Sequence, residues 1–551
     1  MSACSRRLTL LLLAVATAAA SQEAGPFQRT KFEFPGTIQD QLLADVDGDG
    51  RLDVLIIHGA AGNLDDHRLA ICRQDDSKGF LPCVFEDLPD TARALDVGPL
   101  DTAPGAELVL LTDEGILVSS WQGSGFGPPA ALEAAATIFA GTDQDVPRPI
   151  DLLFDLDGGG GRELVLPTLE GPTLVRAGEA PQVLASPAEV SYSAGSRNGD
   201  INSFLRRHYQ RRITAQHLTP DVFVEDYDGD GRKDVITMLD NVLRVFLQDE
   251  EGGLPTTPSL IEERSTIGDD ELRSEFTGEA TTFAQLDGDE RADLIVMKWG
   301  SSEKRTRMDR AIFYSREDGG FSDRPDQVVR SESVFPDFDI LDLNGDGRRD
   351  LVIPFFHVAP AQAVRVMTQN AIKIQFRLFL MRPDGRYAQG EGKAFVRVDR
   401  RVVLDYHLDI LRLIFGNEAA PTGRIAPLLD FGADFNGDGY ADLAADDGSD
   451  RLRIYWGNEQ VRYGNSPDLV LPFESTLSYD LIDADGDGRT DLFGYHGTRP
   501  VREEIGGRHH AVKRKRRERE RARRAEARRA REEGEEKAPE ERVRLEILMS
   551  R

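Results

Sequence analysis

Residues 45 to 56 read DVDGDGRLDVLI. Carboxylates stand at Asp45, Asp47, Asp49 and Asp53, glycines at Gly48 and Gly50, and an apolar β-type run starts at the last acid. Like charges this close repel one another unless a cation sits among them. Alternation turns the first three acids into one tight turn, and the glycines permit backbone angles closed to other residues. The carbonyl of Arg51 and the carboxylate of Asp53 complete a set of hard oxygen donors, which describes a Ca²⁺ loop; Mg²⁺ keeps more of its waters and fits less well. An EF-hand loop opens the same way but requires a Glu at position 12 between helices. Here position 12 is Ile56, inside the β run.

The motif recurs as DYDGDGRKD from Asp226, QLDGDERAD from Gln285, DLNGDGRRD from Asp342, DFNGDGYAD from Asp434 and DADGDGRTD from Asp483. DLDGGGGRE from Asp155 is a worn copy, and DVGPLDTAPGAE from Asp96 is more worn still. Starts from Asp155 onward are spaced by 71, 59, 57, 92 and 49 residues, and the 110 residues between Asp45 and Asp155 hold two units. Each motif leads into a β run such as DVLIIHG or DVITMLD, then an alternating strand (LRVFLQDE, RLRIYWGN), a Gly-rich turn and two further strands. Four short strands repeated over about 50–60 residues are the mark of propeller blades. The sequence therefore predicts an all-β propeller of eight four-stranded blades, with seven as the alternative.

Two units are swollen. INSFLRRHYQRR, residues 201–212, reads as a helical insertion, and AIKIQFRLFLMRPDGRY with KAFVRVDRRVVLDY reads as a long hairpin extending beyond the ring. The last unit lacks a third strand. Residues 541–549 alternate like RLRIYWG and are expected to return as that strand, with the strand near Lys31 to Phe34 as the fourth; a frayed tail is the alternative. Between lies KRKRRERERARRAEARRAREEGEE, with 12 basic and 3 acidic residues in Lys513–Arg531. It has no apolar stripe, so it reads as a solvated helix or a disordered stretch that grips an anionic surface or simply stays in water.

The chain of 551 residues carries a formal charge of −29. Residues 502–551 contribute 18 Lys+Arg against 12 Asp+Glu, leaving −35 on the first 501. So acidic a body repels nucleic-acid phosphates and suits cations. At the N-terminus, Arg6 and Arg7 precede an apolar run from Leu8 to Ala16 and the small residues Ala18 to Ala20, the pattern of a secretory signal over 1–20. Ser5-Arg6-Arg7 touches a twin-arginine signal, but Thr9 and Leu11 fit it poorly. No later stretch reaches the length of a transmembrane helix. Secretion or a periplasmic location is expected, with residues 21–501 as the propeller, 502–540 as the charged excursion and 541–551 as the closing strand. Cys4 falls in the signal; Cys72 and Cys83 remain, read as a local disulfide with two free thiols as the alternative.

The repeats resemble FG-GAP/VCBS units, found in the integrin α-subunit propeller and in many secreted bacterial proteins. The resemblance covers residues 27 to 495 and implies that each acidic loop joins the first two strands of a blade and binds Ca²⁺. By position it implies five full sites: Asp45, Asp47, Asp49 and Asp53; Asp226, Asp228, Asp230 and Asp234; Asp342, Asn344, Asp346 and Asp350; Asp434, Asn436, Asp438 and Asp442; Asp483, Asp485, Asp487 and Asp491. The unit at Gln285 departs in its first residue and at Glu290, leaving Asp287, Asp289 and Asp293 as a weaker sixth. Asp155, Asp157 and Glu163 face Gly159 at position five, a doubtful site, and the unit at Asp96 is expected to bind nothing.

Three function classes fit this reading: a Ca²⁺-stabilised scaffold that binds a protein or glycan ligand, a polysaccharide-active enzyme on the same ring, as in some lyases with similar repeats, and a structural surface protein. No H-E-x-x-H, G-x-S-x-G or C-x-x-C motif is present. His58 and His357 read as packing residues, and His208 beside Tyr209 is the most site-like histidine. The irregular parts are where specific binding is expected.

Overall fold

The computed structural model describes residues 19–24, 26–59, 67–134, 136–140, 146–176, 178–196, 211–239, 241–264, 278–301, 306–316, 319–331, 339–355, 371–388, 395–403, 429–446, 451–473, 478–496 and 542–551. Eight four-stranded antiparallel blades form a propeller. Blade 1 is built from Thr37–Ala44, Asp53–Gly59, Arg68–Cys72 and Val84–Asp87, paired in chain order. Blades 2 to 7 follow over 92–132, 153–183, 221–263, 278–331, 339–403 and 429–472. Blade 8 takes Ser478–Ile482 and Asp491–His496, then Arg542–Ser550, then Phe27–Pro35. Ala19–Ala24 adds an outermost fifth strand, so Ala19 and Ala20 lie in the sheet, while residues 1–18 of the expected signal segment lie outside the described residues.

The second strand of a blade is buried on both faces, which explains its unbroken apolar run. All seven residues of Asp53–Gly59 are buried. Val54 and Ile56 pack with Phe493, Ile547 and Phe32 of blade 8, while Leu55 and Ile57 pack with Leu95 and Leu108 of blade 2. Eight such apolar clusters separate the eight neighbouring pairs of blades, the last joining blade 8 to blade 1. The core is thus a ring of inter-blade layers, as expected of an array whose units cannot bury their faces alone.

One local expectation is sharpened and one is corrected. The long strands after the Asp342 motif, Ala371–Phe379 and Val396–Val403, belong to the ring as the third and fourth strands of blade 6. Leu351–Phe355 pairs with Gln375–Phe379, while Ala371–Ile374 pairs with Arg400–Val403, so this end of the hairpin runs past the described second strand. Of the expected helix over 201–212, Arg211 and Arg212 open a strand: Arg211–Leu218 pairs along its whole length with Glu189–Ser196 as a separate hairpin. The rest of that stretch, with His208 and Tyr209, lies outside the described residues, as do His357 and Lys513–Arg531. His58 is buried between the rings of Phe34 and Phe85, at 5.0 and 5.7 Å.

Candidate metal loops

Every acidic loop joins the first and second strands of its blade, so all of them lie on one face of the ring. Connections between blades run from a fourth strand to the next first strand, on the opposite face. The loop of blade 1 shows the construction. Asp45 Oδ1 accepts from the backbone N–H of Gly48 at 2.8 Å and Asp49 at 3.1 Å, and its Oδ2 accepts from Gly50 at 2.8 Å. Gly48 and Gly50 have φ of 76° and 86°, which side chains disfavour. Asp53 is 1% exposed. Its Oδ2 accepts from Val46 N–H at 3.1 Å and its Oδ1 from Gln74 N–H at 2.7 Å. Burial drives its carboxyl up to about 7, with Asp47 and Asp49 adding repulsion and the two backbone donors opposing.

The ninth position is equally buried elsewhere. Asp234 is raised to about 6, and Asp293, Asp350, Asp442 and Asp491 to about 7, each chiefly by burial. The worn loops keep this anchor in a longer form: Glu107 accepts from Leu100 N–H at 2.8 Å and Glu163 from Leu156 N–H at 2.9 Å. The ninth acid is therefore first a clamp that closes the loop, present even where the other acids are lost.

Three loops draw their carboxylate oxygens within 4.8 Å of one another: Asp45 with Asp47 and Asp53, Asp226 with Asp228 and Asp230, and Asp483 with Asp485 and Asp491. These clusters could hold a metal ion, because a carboxylate oxygen that accepts one backbone N–H keeps a second lone pair. Among the described residues, the acids of blades 5, 6 and 7 are not gathered to that extent. In blades 6 and 7 an amide holds position three, and Asn344 and Asn436 turn it to Asp346 and Asp438 at 3.1 and 3.0 Å. In blade 5, Glu290 adopts φ of 70°, where six other loops have glycine.

Each loop is also bonded to its neighbour. The backbone N–H of Ala106, Arg162, Ala292, Arg349, Ala441 and Thr490 donates to the carbonyl of Val46, Pro99, Asp226, Leu286, Leu343 and Asp434 in the preceding loop, over 2.7–3.2 Å. Between blades 3 and 4, Gln248 Nε2 supplies the link to Leu156 O at 2.8 Å. Leu52 N–H to Ala484 O completes the circle.

Sequence reasoning missed a contact in blade 8. Lys78, from the turn between the third and fourth strands of blade 1, places Nζ 2.7 Å from Asp485 Oδ2 and 2.6 Å from Asp487 Oδ2. It also donates to Ser550 O at 3.1 Å. Cys72 and Cys83 are disulfide-bonded across the base of that turn, with Cα atoms 4.2 Å apart. Inside the ring, a cavity of about 450 Å³ lies among the first strands of blades 1, 6, 7 and 8, with Asp339, Asp430 and Asp480 beside Leu341, Leu481 and Ile482.

No family model and no curated protein matches this chain. Among solved structures, an Agrocybe aegerita lectin described as recognising non-reducing terminal N-acetylglucosamine is similar at 15% identity over 67% of this chain and 86% of that one, with a TM-score of 0.38. The V. cholerae biofilm matrix protein Bap1 is similar at 12% identity over 87% of this chain and 88% of its own, with a TM-score of 0.28. BBS1N, in complex with ARL6DN, is similar at 9% identity over 86% and 93%, with a TM-score of 0.29. Likenesses of this degree do not say what this chain binds.

Proposed function

We propose that this protein is an exported FG-GAP/VCBS-type propeller, stabilised by Ca²⁺ at its acidic loops, that serves as a binding scaffold for a protein or glycan ligand. The observation that carries this reading is the convergence of carboxylate oxygens in loops of one face. Hard, oxygen-only donor sets with several acids suit Ca²⁺. A bound divalent ion would neutralise the loop carboxylates, and this chain's own contribution is to hold them: the buried ninth acid clamps the loop, and the glycines admit the turn. Export agrees with the Cys72–Cys83 disulfide, since such bonds persist in oxidising compartments.

The division of the two faces supports the scaffold role. Acidic loops repeat at fixed length on one face, whereas the fourth-to-first connections, such as 184–220, 264–277 and 404–428, vary in length, and the strand ends they join lie on the other face. Variable connections on a rigid ring are where recognition is placed. Metal-stripped and Ca²⁺-loaded protein should differ in melting temperature, with Ca²⁺ raising it reversibly and Mg²⁺ doing less. Glycan-array and immobilised-protein binding should be retained while a polysaccharide panel shows no turnover. A melting temperature unmoved by Ca²⁺, with no stoichiometric Ca²⁺ uptake, overturns the calcium reading; turnover of a polysaccharide overturns the scaffold reading.

A further inference from the structure

Four blades share one turn between their third and fourth strands. The backbone N–H of Asp75, Asp249, Arg316 and Arg382 donates to the carbonyl of Gly79, Gly253, Gly320 and Arg386, over 2.9–3.2 Å. In each, the residue before the closing one adopts a left-handed backbone: Lys78 at φ 61°, Gly252 at 84°, Gly319 at 78° and Gly385 at 70°. Each N–H at that position bonds back to the first residue of the turn. Three of the four are glycine, the residue this conformation favours. These turns overhang the acidic loop of the preceding blade: a Cβ on Gly252 would lie 3.7 Å from Asp157, and one on Gly385 3.4 Å from Asp287. Blade 1 alone among them carries a side chain there. It reaches the acidic loop of blade 8.

We propose that Lys78 is the resident cation of the blade 8 loop, an ammonium group held between Asp485 and Asp487 that clasps the last blade to the first and keeps Ca²⁺ out of that loop. The contact geometry is that of a charge-assisted site, with two carboxylate oxygens within 2.7 Å and the Ser550 carbonyl at 3.1 Å. Asp485, 6% exposed in its side chain, is both an Nζ partner and a member of the oxygen cluster with Asp483 and Asp491. A divalent ion and the ammonium therefore compete for the Asp485 carboxylate. The position is a costly one for lysine, and the turn is held for it: Asp75 Oδ1 accepts from Ser77 N–H, Ser77 Oγ and Gly79 N–H at 2.8, 2.6 and 3.0 Å. The disulfide fixes the base of the same turn.

The test uses the full chain and two readouts. In metal-stripped protein, melting temperatures of Lys78→Gly, Asp487→Asn and the double variant form a cycle in which relief of the lysine backbone cancels. The clasp predicts strong non-additivity: Asp487→Asn lowers the melting temperature when Lys78 is present and leaves or raises it when Lys78→Gly is already in place. Additive shifts overturn the clasp. Calorimetric titration with Ca²⁺ then counts ions per chain, and Lys78→Gly should bind one more than the natural chain. An unchanged count overturns the exclusion of Ca²⁺. This second arm rests on the calcium reading above; a natural chain that binds no Ca²⁺ at any loop removes that reading and leaves the thermal cycle to decide the clasp.

Discussion

The backbone N–H of Leu52 donates to the carbonyl of Ala484 at 2.8 Å, so the first acidic loop of the chain is bonded to the last. The same seam is closed by strands from both chain ends. Arg542–Ser550 pairs with Phe27–Pro35 on one side and Asp491–His496 on the other. Leu545 and Ile547 of this strand are fully buried against blade 1 residues Val54 and Ile56. Ile547→Ala should destabilise by about 2–5 kcal/mol. Deleting 542–551 should do far more, because it exposes the edge of Asp491–His496 and removes the strand that holds the N-terminal one. Thermal melting and size-exclusion chromatography check this. A truncated monomer that melts with the full chain would contradict closure through these strands.

The two glycines of one loop should respond unequally to alanine. Gly345 has φ of 69°, and an added Cβ would stand 2.7 Å from the carbonyl oxygen of Gly439 in the next loop. Gly347 has φ of 81° but nothing within 4 Å of such a Cβ. Gly347→Ala should cost about 1 kcal/mol for the left-handed backbone alone. Gly345→Ala should cost roughly 1–3 kcal/mol more, because the belt between blades 6 and 7 must open to admit the methyl. Chemical denaturation of the two variants compares them; equal losses would mean the inter-loop contact is slack.

The period of the fold was legible because the acidic loop is short, local and repeated, and its ninth residue always heads a strand buried on both faces. Even worn copies could be placed, since Glu107 and Glu163 keep the clamp after the other acids have drifted. What the sequence hid was long-range. Lys78 and Asp487 are 409 residues apart, and only closure of the ring brings them together. Its one local trace was the turn DDSKG, where the aligned turns DEEGG and REDGG carry glycine in place of lysine. Arg211 and Arg212, at the end of a stretch expected to be helical, pair instead with Ser196 and Gly195, a tertiary pairing that local sequence does not announce.

The Cys72–Cys83 disulfide closes a loop with a sequence separation of 11 around the Lys78 turn. By loop entropy such a bond is worth about 3 kcal/mol. The double variant Cys72→Ser with Cys83→Ser should therefore melt lower than the natural chain, and a reducing agent should lower the melting temperature of the natural chain but not of the variant. Equal melting under both conditions would show that packing of Phe80 and Leu88 holds this part of blade 1 unaided.

The metal-stripped protein should lose stability as the pH rises from 5 to 8. The ninth-position aspartates sit at about 6 or 7 in the fold, against about 3.9 in an unfolded chain. Between those values the folded state binds more protons than the unfolded state. Stability from these groups is then complete below about pH 4 and is lost as the pH rises through 6–7. Asp75, Asp487 and Glu546 act in the opposite sense, being held below the usual carboxylate range. Their contribution fades only as the pH falls below about 4, outside the window. Hydrogen bonds from Ser77 hold Asp75 down; the Lys78 and His496 contacts overcome burial at Asp487 and Glu546. Saturating Ca²⁺ favours the ionised carboxylates, so it should flatten or reverse the slope, with its largest stabilisation near pH 8. Melting curves of stripped and Ca²⁺-loaded protein at pH 5, 6, 7 and 8 decide the matter. A stripped protein whose melting temperature climbs steadily from pH 5 to 8 would mean that the loop aspartates are already ionised in the fold without a divalent ion.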